Sequence, residues 1–320
     1  MKSPATPLAA AALLCAVAVG SCGFGPGDAS EGRAELSVTR EFGTVPMVDA
    51  TLEDPTESDT VVRFLDENAD VESSYGDNFV DSIDGYAGST SGGGDEDWFF
   101  FVNGYYSDIG AGETRVAPGD RIWWDYRYWS AAYRVPAVVG SWPEPFLHGH
   151  DGERPDTVVE CIDSRQACAE AVVALKAAGI DFRIEDRSRP AEHPDQLRVL
   201  VGTWDALNDD AAVSQLGKGP DTSGVYASFE ACGSSSWLVV DDDHGRAVRR
   251  LPDGGLVAAV RDGEDEPTWV VTGTDEDAVG AAAGLLGTDE LRNRYAVAVS
   301  GEETIPAPAP AESDAGGEEC

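Results

Sequence analysis

The sequence predicts an α+β protein with two domains, a small mixed β-sheet domain followed by an α/β sandwich domain with a mixed sheet. The chain has 320 residues, enough for about two domains, and its 42% hydrophobic and 25% charged residues are typical of folded proteins. Five of the eight tryptophans lie within residues 35–146, whereas residues 157–300 are rich in Ala and Val and alternate strand and helix patterns. A polar Gly/Pro/His stretch at 147–156 separates the two segments.

The net charge of the chain disfavours anionic partners. Asp and Glu number 59 against 22 Lys and Arg, which gives a formal charge of −37. A field of this sign repels nucleic acid and anionic lipid head groups and attracts cations or basic partners. We therefore expect no nucleic-acid partner.

The N-terminal segment 1–21 has the pattern of a secretion signal. It carries a single basic residue, Lys2, followed by the apolar run 8–19, which is too short for a permanent membrane span. Val19-Gly20-Ser21-Cys22 resembles a bacterial lipobox, which implies that Cys22 is acylated and becomes the N-terminus. Ordinary cleavage after Ala16-Val17-Ala18 is the alternative. We expect an extracytoplasmic protein, lipid-anchored to the cell membrane, with residues 22–34 as a flexible tether.

Four further cysteines remain after Cys15 leaves with the signal and Cys22 is acylated. An oxidising compartment favours disulfides, and four cysteines allow three pairings. The pairing Cys161–Cys168 is favoured because it would join the end of a predicted strand to the start of the next helix. The four cysteines are Cys161, Cys168, Cys232 and Cys320.

In the first domain, 35–146, turn signals separate short apolar runs. Asn103-Gly104 is the clearest of these signals, since this dipeptide favours a tight hairpin between two strands. The predicted elements are two strands within 35–52, a helix near 60–65, a strand at 79–83, the hairpin of 98–102 with 105 onward, and a last strand at 121–129.

Three motifs of this domain carry a resemblance. They are Ile83-Asp84-Gly85, the run Trp98-Phe99-Phe100-Phe101-Val102-Asn103-Gly104, and Pro118-Gly119-Asp120 followed by Ile122, Trp124 and Tyr126. In this order they resemble the transcobalamin-type C-terminal domain, a soluble-ligand-binding β-grasp domain of bacterial surface lipoproteins and animal cobalamin carriers. The resemblance covers about residues 36–130. It implies a β-grasp-like fold and a possible cobalamin-like ligand.

The second domain, 157–300, alternates strands and helices. The Gly-Thr turns at 202–203 and 273–274 each follow an apolar strand and precede a helix. The acidic Pro/Ala segment 301–320 is predicted to be a disordered tail. The predicted strands are 157–162, 181–186, 197–202, 225–230, 237–240, 247–251, 255–261, 268–272 and 295–299, and the predicted helices are 165–178, 205–216 and 275–286.

The candidate ligand site lies on the aromatic strand 122–129. Period-two alternation puts Trp123, Asp125, Arg127 and Trp129 on one face, and two tryptophans are more than solvent exposure explains. A second reading places this face against the second domain. The predicted ligand-binding residues are Trp123, Trp129, Tyr105, Tyr106 and Arg127.

Catalysis has little support in the sequence. All four histidines fall in predicted loops outside nucleophile motifs. His148-Gly149-His150-Asp151 could hold a transition metal, but two nearby histidines in a linker usually form a polar loop, and the acidic run Asp241-Asp242-Asp243 lacks the spacing and the distal Glu of a calcium loop. We therefore predict no catalytic residues, no metal and no certain cofactor. The predicted function is non-catalytic binding of a small planar molecule or of a partner by a surface-anchored lipoprotein, and the resemblance implies a cobalamin-like ligand. The alternative is an envelope scaffold or protein-interaction module without a small-molecule ligand.

Overall fold

The computed structural model describes residues 28–89, 94–186, 190 and 193–311. The predicted signal 1–21, the acylation site Cys22, the start of the tether and the end of the tail lie outside the described residues. Within the described ranges no helix has the length and apolar character needed to cross a membrane. The protein is a mixed α+β structure, which confirms the predicted fold class.

The first sheet has five strands in the order β2-β1-β8-β6-β7. The central strands β1 and β8 are parallel, while β2 pairs antiparallel with β1 and β6 pairs antiparallel with β8. The predicted hairpin is present, because Asn103 and Gly104 both adopt positive φ between β6 and β7. The strands are β1 (Arg33–Arg40), β2 (Val45–Glu53), β6 (Glu96–Val102), β7 (Tyr105–Tyr106) and β8 (Arg121–Tyr128).

One face of this sheet is covered by helix α1 (Val61–Asp66) and by a small antiparallel sheet of β3 (Val71–Ser74), β4 (Phe79–Ile83) and β5 (Tyr86–Ala87). The apolar side of α1 packs with Ile122 and Trp124 of β8 in a separate core cluster. The predicted helix near 60–65 and the predicted strand 79–83 are therefore confirmed.

The second part is built on a seven-stranded mixed sheet in the order β10-β9-β11-β16-β15-β17-β18. The helices Arg165–Ala177 and Glu276–Ala283 pack against one face of it. The predicted helix 205–216 is wrong as a single helix, because the chain there forms one turn at Trp204–Leu207 and a 3-10 helix at Val213–Lys218. The strands are β9 (Thr157–Cys161), β10 (Phe182–Asp186), β11 (Leu197–Val201), β15 (Gly254–Val260), β16 (Thr268–Gly273), β17 (Ala296–Ser300) and β18 (Glu303–Ala307).

The opposite face of the mixed sheet shares one core with the first part of the chain. Phe101 and Trp123 of the first sheet pack in the same cluster as Leu200 and Val270 of the second. An antiparallel sheet of β12 (Ala227–Cys232), β13 (Ser235–Asp241) and β14 (Ala247–Leu251) contributes to this cluster as well. The two predicted segments are thus packed against each other through an apolar interface.

The predicted disordered tail 301–320 is wrong for its first part. Strand β18 pairs antiparallel with β17 along its whole length, and Ile305 and Ala307 are buried. Beyond β18, the N–H of Ala309 donates to the carbonyl of Asp241 at 2.8 Å. A few apolar residues at alternate positions are enough here, because the edge of an existing sheet supplies their hydrogen-bond partners.

The disulfide Cys161–Cys168 is present, at the end of β9 and in the first turn of the following helix. Cys232 is also disulfide-bonded.

Replacing both Cys161 and Cys168 with alanine is expected to lower the free energy of unfolding by about 2–3 kcal/mol, because the crosslink closes a short loop in the unfolded chain. The sequence separation of the two cysteines is 7 residues. Urea unfolding of the variant and the wild type, both without reductant, measures the difference. Equal unfolding free energies would contradict the prediction.

Candidate ligand-binding cavity

An aromatic cavity lies beside β6 in the first part of the chain. It opens between β6, the start of β4 and the segment 106–110 that follows β7, and its volume is about 240 Å³. Seven of its fourteen lining residues are aromatic, and four others have polar side chains. The lining residues are Asn78, Phe79, Val80, Asp97, Trp98, Phe99, Phe100, Tyr106, Ser107, Asp108, Ile109, Gly110, Trp124 and Tyr133.

The aromatic wall follows from the register of β6 and β8. Phe100 is paired with Trp124, and their rings stack at 4.6 Å between centroids with 25° between planes. Phe99 points to the other face of the sheet, where the ring of Tyr133 meets it edge-on at 6.2 Å. Because β7 is only two residues long, the outer edge of β6 is not covered along its length by another strand.

The rim of the cavity exposes large apolar side chains. Tyr133 is 66% exposed and Ile109 is 48% exposed. Single exposed apolar residues are common on proteins, but two of them on the rim of one aromatic cavity mark a surface that a ligand or partner covers.

The acidic side chains of the wall are engaged in local contacts. Asp97 accepts hydrogen bonds from the Ser89 hydroxyl at 2.7 Å and from the N–H of Trp98 at 2.9 Å. Asp108 pairs with Arg134 at 2.6 Å. Burial raises the pKa of Tyr106, and the Tyr133 and Asp108 groups raise it further, so the Tyr106 phenol is neutral near pH 7.

Three of the five predicted ligand-binding residues belong to the surroundings of this cavity. Tyr106 lines it directly, and the half-buried Trp129 packs edge-on against Tyr133 at 5.7 Å. Arg127 is 1% exposed and supports the wall from behind, with its guanidinium 4.0 Å from the Phe99 ring centroid. It donates to the carbonyls of Ala132 at 2.7 Å and Tyr133 at 3.1 Å, and so holds the Tyr133 segment in place.

Trp123 lies elsewhere, in the core shared by the two sheets. It is 2% exposed, packs against Phe101 and Tyr295, and donates its indole N–H to the Thr39 hydroxyl at 2.8 Å. The expectation that Trp123 presents a free face to a ligand is therefore wrong. Its position agrees with the second reading, in which the second part of the chain covers this face. No free ring surface remains there for stacking.

Tyr105 is also interior. Its ring stacks on His150 at 4.5 Å, and its hydroxyl donates to Glu266 at 2.5 Å. Burial and this hydrogen bond raise the pKa of Tyr105 above its ordinary range. The residue therefore connects the hairpin to the second part of the chain and does not line the aromatic cavity.

Among the described residues, one group of side chains has ligand atoms that are close enough together to hold a metal ion. Asp242, Asp243 and His244 offer ligand atoms within 4.8 Å of one another. However, Asp242 accepts hydrogen bonds from the N–H groups of His244 and Arg246 and from the Arg246 guanidinium, while His244 Nδ1 contacts Asp243 at 2.6 Å. These contacts close the turn between β13 and β14. The histidines of His148-Gly149-His150 are held apart by different partners, Glu144 and Tyr105.

Comparisons with known proteins bear on the same part of the chain. Residues 58–127 match a family described as a domain of unknown function, DUF4430. This segment lies inside residues 36–130, where the motifs resemble the transcobalamin-type domain, and it contains most of the cavity wall. A solved structure of a candidate metal-binding protein from Ruminococcus gnavus is similar to 31% of this chain and 98% of its own, with 19% identity and a TM-score of 0.24. No curated protein matches the sequence.

Sequence reasoning missed several residues of the wall. Phe99, Phe100 and Trp124 are predicted only as strand residues, and Ile109 and Tyr133 are not among the predicted site residues. The available signal was the density of aromatic residues in 98–106. It could not show which rings meet, because the cavity joins segments that are far apart in the sequence.

Proposed function

We propose that this protein binds a small molecule, without catalysis, in the aromatic cavity beside β6. The observation that carries the proposal is the combination of an aromatic wall with the exposed rim residues Tyr133 and Ile109. Ligand sites are concave and mostly apolar, with few polar groups that fix orientation, and this cavity has that composition.

A cobalamin-like molecule is the specific ligand that the resemblance suggests. The cavity volume of about 240 Å³ is below the roughly 300–1,000 Å³ that enclose a drug-sized ligand. A corrinoid would therefore place one planar group in the cavity and leave the rest of the molecule outside. A free one- or two-ring compound would be enclosed.

Anchoring at the cell surface belongs to the same proposal. It is supported by the lipobox-like sequence ending at Cys22 and by the disulfide Cys161–Cys168, since structural disulfides persist in oxidising compartments. A lipid on Cys22 would hold the cavity outside the cytoplasmic membrane, where it meets extracytoplasmic ligands.

Calorimetric titration of the full chain with cobalamin, cobinamide and benzimidazole tests the proposal. We expect saturable binding of at least one of the three. Ile109→Ala and Tyr133→Ala are each expected to weaken it about tenfold, because they remove apolar and aromatic contact at the rim.

Two variants outside the cavity serve as matched controls. Ile184→Ala removes a similarly exposed isoleucine from β10, and Tyr75→Ala removes an exposed tyrosine from the turn after β3. Both should bind like the wild type. Absence of binding for all three compounds, or equal losses in rim and control variants, would refute the proposed site.

The second candidate function is a protein-interaction module. The exposed rim residues Tyr133 and Ile109 favour it, because exposed apolar residues also mark protein interfaces. A cavity that binds none of the three compounds in a well-folded protein would leave this candidate as the better account of the rim.

A further inference from the structure

Two residues that line the cavity each have a buried polar side-chain atom without a hydrogen-bond partner among the described residues, the acceptor Asn78 Oδ1 and the donor Trp124 Nε1. Trp124 is 2% exposed, and its indole N–H has no acceptor among the residues that the structure describes. Two other buried tryptophans nearby do have acceptors. Trp98 donates to the carbonyl of Tyr86 and Trp123 donates to the hydroxyl of Thr39, each at 2.8 Å. Among these three tryptophans, only the indole N–H of Trp124 therefore lacks an acceptor in the described structure.

A buried donor without an acceptor is unfavourable, and an acceptor brought by a ligand recovers this free energy. The indole nitrogen donates only, so the missing partner is an acceptor. Trp124 lines the cavity and stacks on Phe100, so a ligand that meets Trp124 contacts an aromatic part of the wall.

The charge around the cavity decides what kind of acceptor enters. Asp97 and Asp108 belong to the wall, and the whole chain carries −37, so a carboxylate or phosphate acceptor is repelled. The neighbouring cations are already engaged, Arg134 with Asp108 and Arg127 with backbone carbonyls. A neutral acceptor is the remaining choice.

We infer that the cavity selects a neutral planar heterocycle whose ring-nitrogen or carbonyl acceptor receives the Trp124 N–H. This inference rests on the proposed function and adds the chemistry of the ligand to it. A planar ring is favoured because it can pack against the aromatic side chains that line the cavity, and the volume of about 240 Å³ admits one or two fused rings.

Benzimidazole and indole test the inference, because they share size and shape while only benzimidazole has a neutral ring-nitrogen acceptor. We expect the full chain at pH 7.5 to bind both by calorimetry. Trp124→Phe should lower the preference for benzimidazole over indole by about five- to tenfold, because the ring remains and the donor is lost. Trp123→Phe is the matched control, since it removes an indole N–H that already has an acceptor and lies outside the cavity, and it should leave the preference unchanged.

The outcomes separate the inference from the proposed function. If both compounds bind and Trp124→Phe leaves their ratio unchanged, the role of the indole donor is overturned while the cavity remains a ligand site. If neither binds to the folded wild type, both the inference and the proposed site are overturned. Circular dichroism of each variant establishes that it is folded.

Discussion

An Asp125→Asn variant is expected to lack a fall of about 3 kcal/mol in the free energy of unfolding that Asp125 causes in the wild type between about pH 4 and about pH 6. Asp125 is fully buried between the two sheets. It accepts hydrogen bonds from the Thr39 hydroxyl at 2.6 Å, the Gly43 N–H at 3.1 Å and the Tyr295 hydroxyl at 3.0 Å.

Burial raises the pKa of Asp125 from 3.8 to about 6, and the three hydrogen bonds and Arg127 only partly oppose this effect. Between these values the folded protein keeps the proton that the unfolded chain releases. The contribution of Asp125 to the free energy of unfolding is therefore fully present below about pH 4 and is lost as the pH rises to about 6.

Urea unfolding at pH 4, 5, 6 and 7 measures this dependence. The comparison uses the slope with pH, since asparagine also weakens the hydrogen bonds at every pH. Burial likewise raises the pKa of Asp241 to about 6, so Asp241→Asn is the control that retains the contribution of Asp125. Parallel profiles for wild type and Asp125→Asn would contradict the assignment.

A Trp123→Ala variant is expected to lose about 3–5 kcal/mol of unfolding free energy, because it empties a large site in the core shared by the two sheets. Trp123 packs against Phe101 at 5.3 Å and Tyr295 at 5.1 Å. Trp129 is half-buried and contacts Tyr133 at the surface, so Trp129→Ala should cost less than about 1 kcal/mol.

Urea unfolding followed by far-ultraviolet circular dichroism measures both variants, since this signal does not depend on the removed indole. Trp123→Phe is the matched control and should recover much of the loss by filling the site. Equal costs for Trp123→Ala and Trp129→Ala would show that Trp123 is not part of the shared core.

Local patterns predicted most elements of the first part of the chain. The alternation of strand 121–129 correctly separated Trp123, Asp125 and Arg127 from Trp124, and Asn103-Gly104 correctly marked the hairpin. Strand β3 was missed because its sequence, Val71-Glu72-Ser73-Ser74, has one apolar residue and relies on pairing with β4.

Long-range contacts explain the errors about function. Alternation shows that two faces of a strand differ, but it cannot show what covers each face. The face with Trp123 is covered by Tyr295, which lies 172 positions later in the chain and donates its hydroxyl to Asp125 of the same strand. The cavity likewise depends on Tyr133, whose position is set by the Arg127 contacts. Strand β18, in the predicted tail, forms by pairing with β17 at the edge of the sheet, and the local sequence does not reveal that this edge is available.

A crystal structure of the full chain soaked with benzimidazole tests the central claim most directly. The account predicts electron density for the ring in the cavity beside β6, with its ring nitrogen within hydrogen-bond distance of the Trp124 indole nitrogen. Density for the ring at another site, or an empty cavity at a concentration that saturates binding in solution, would contradict it.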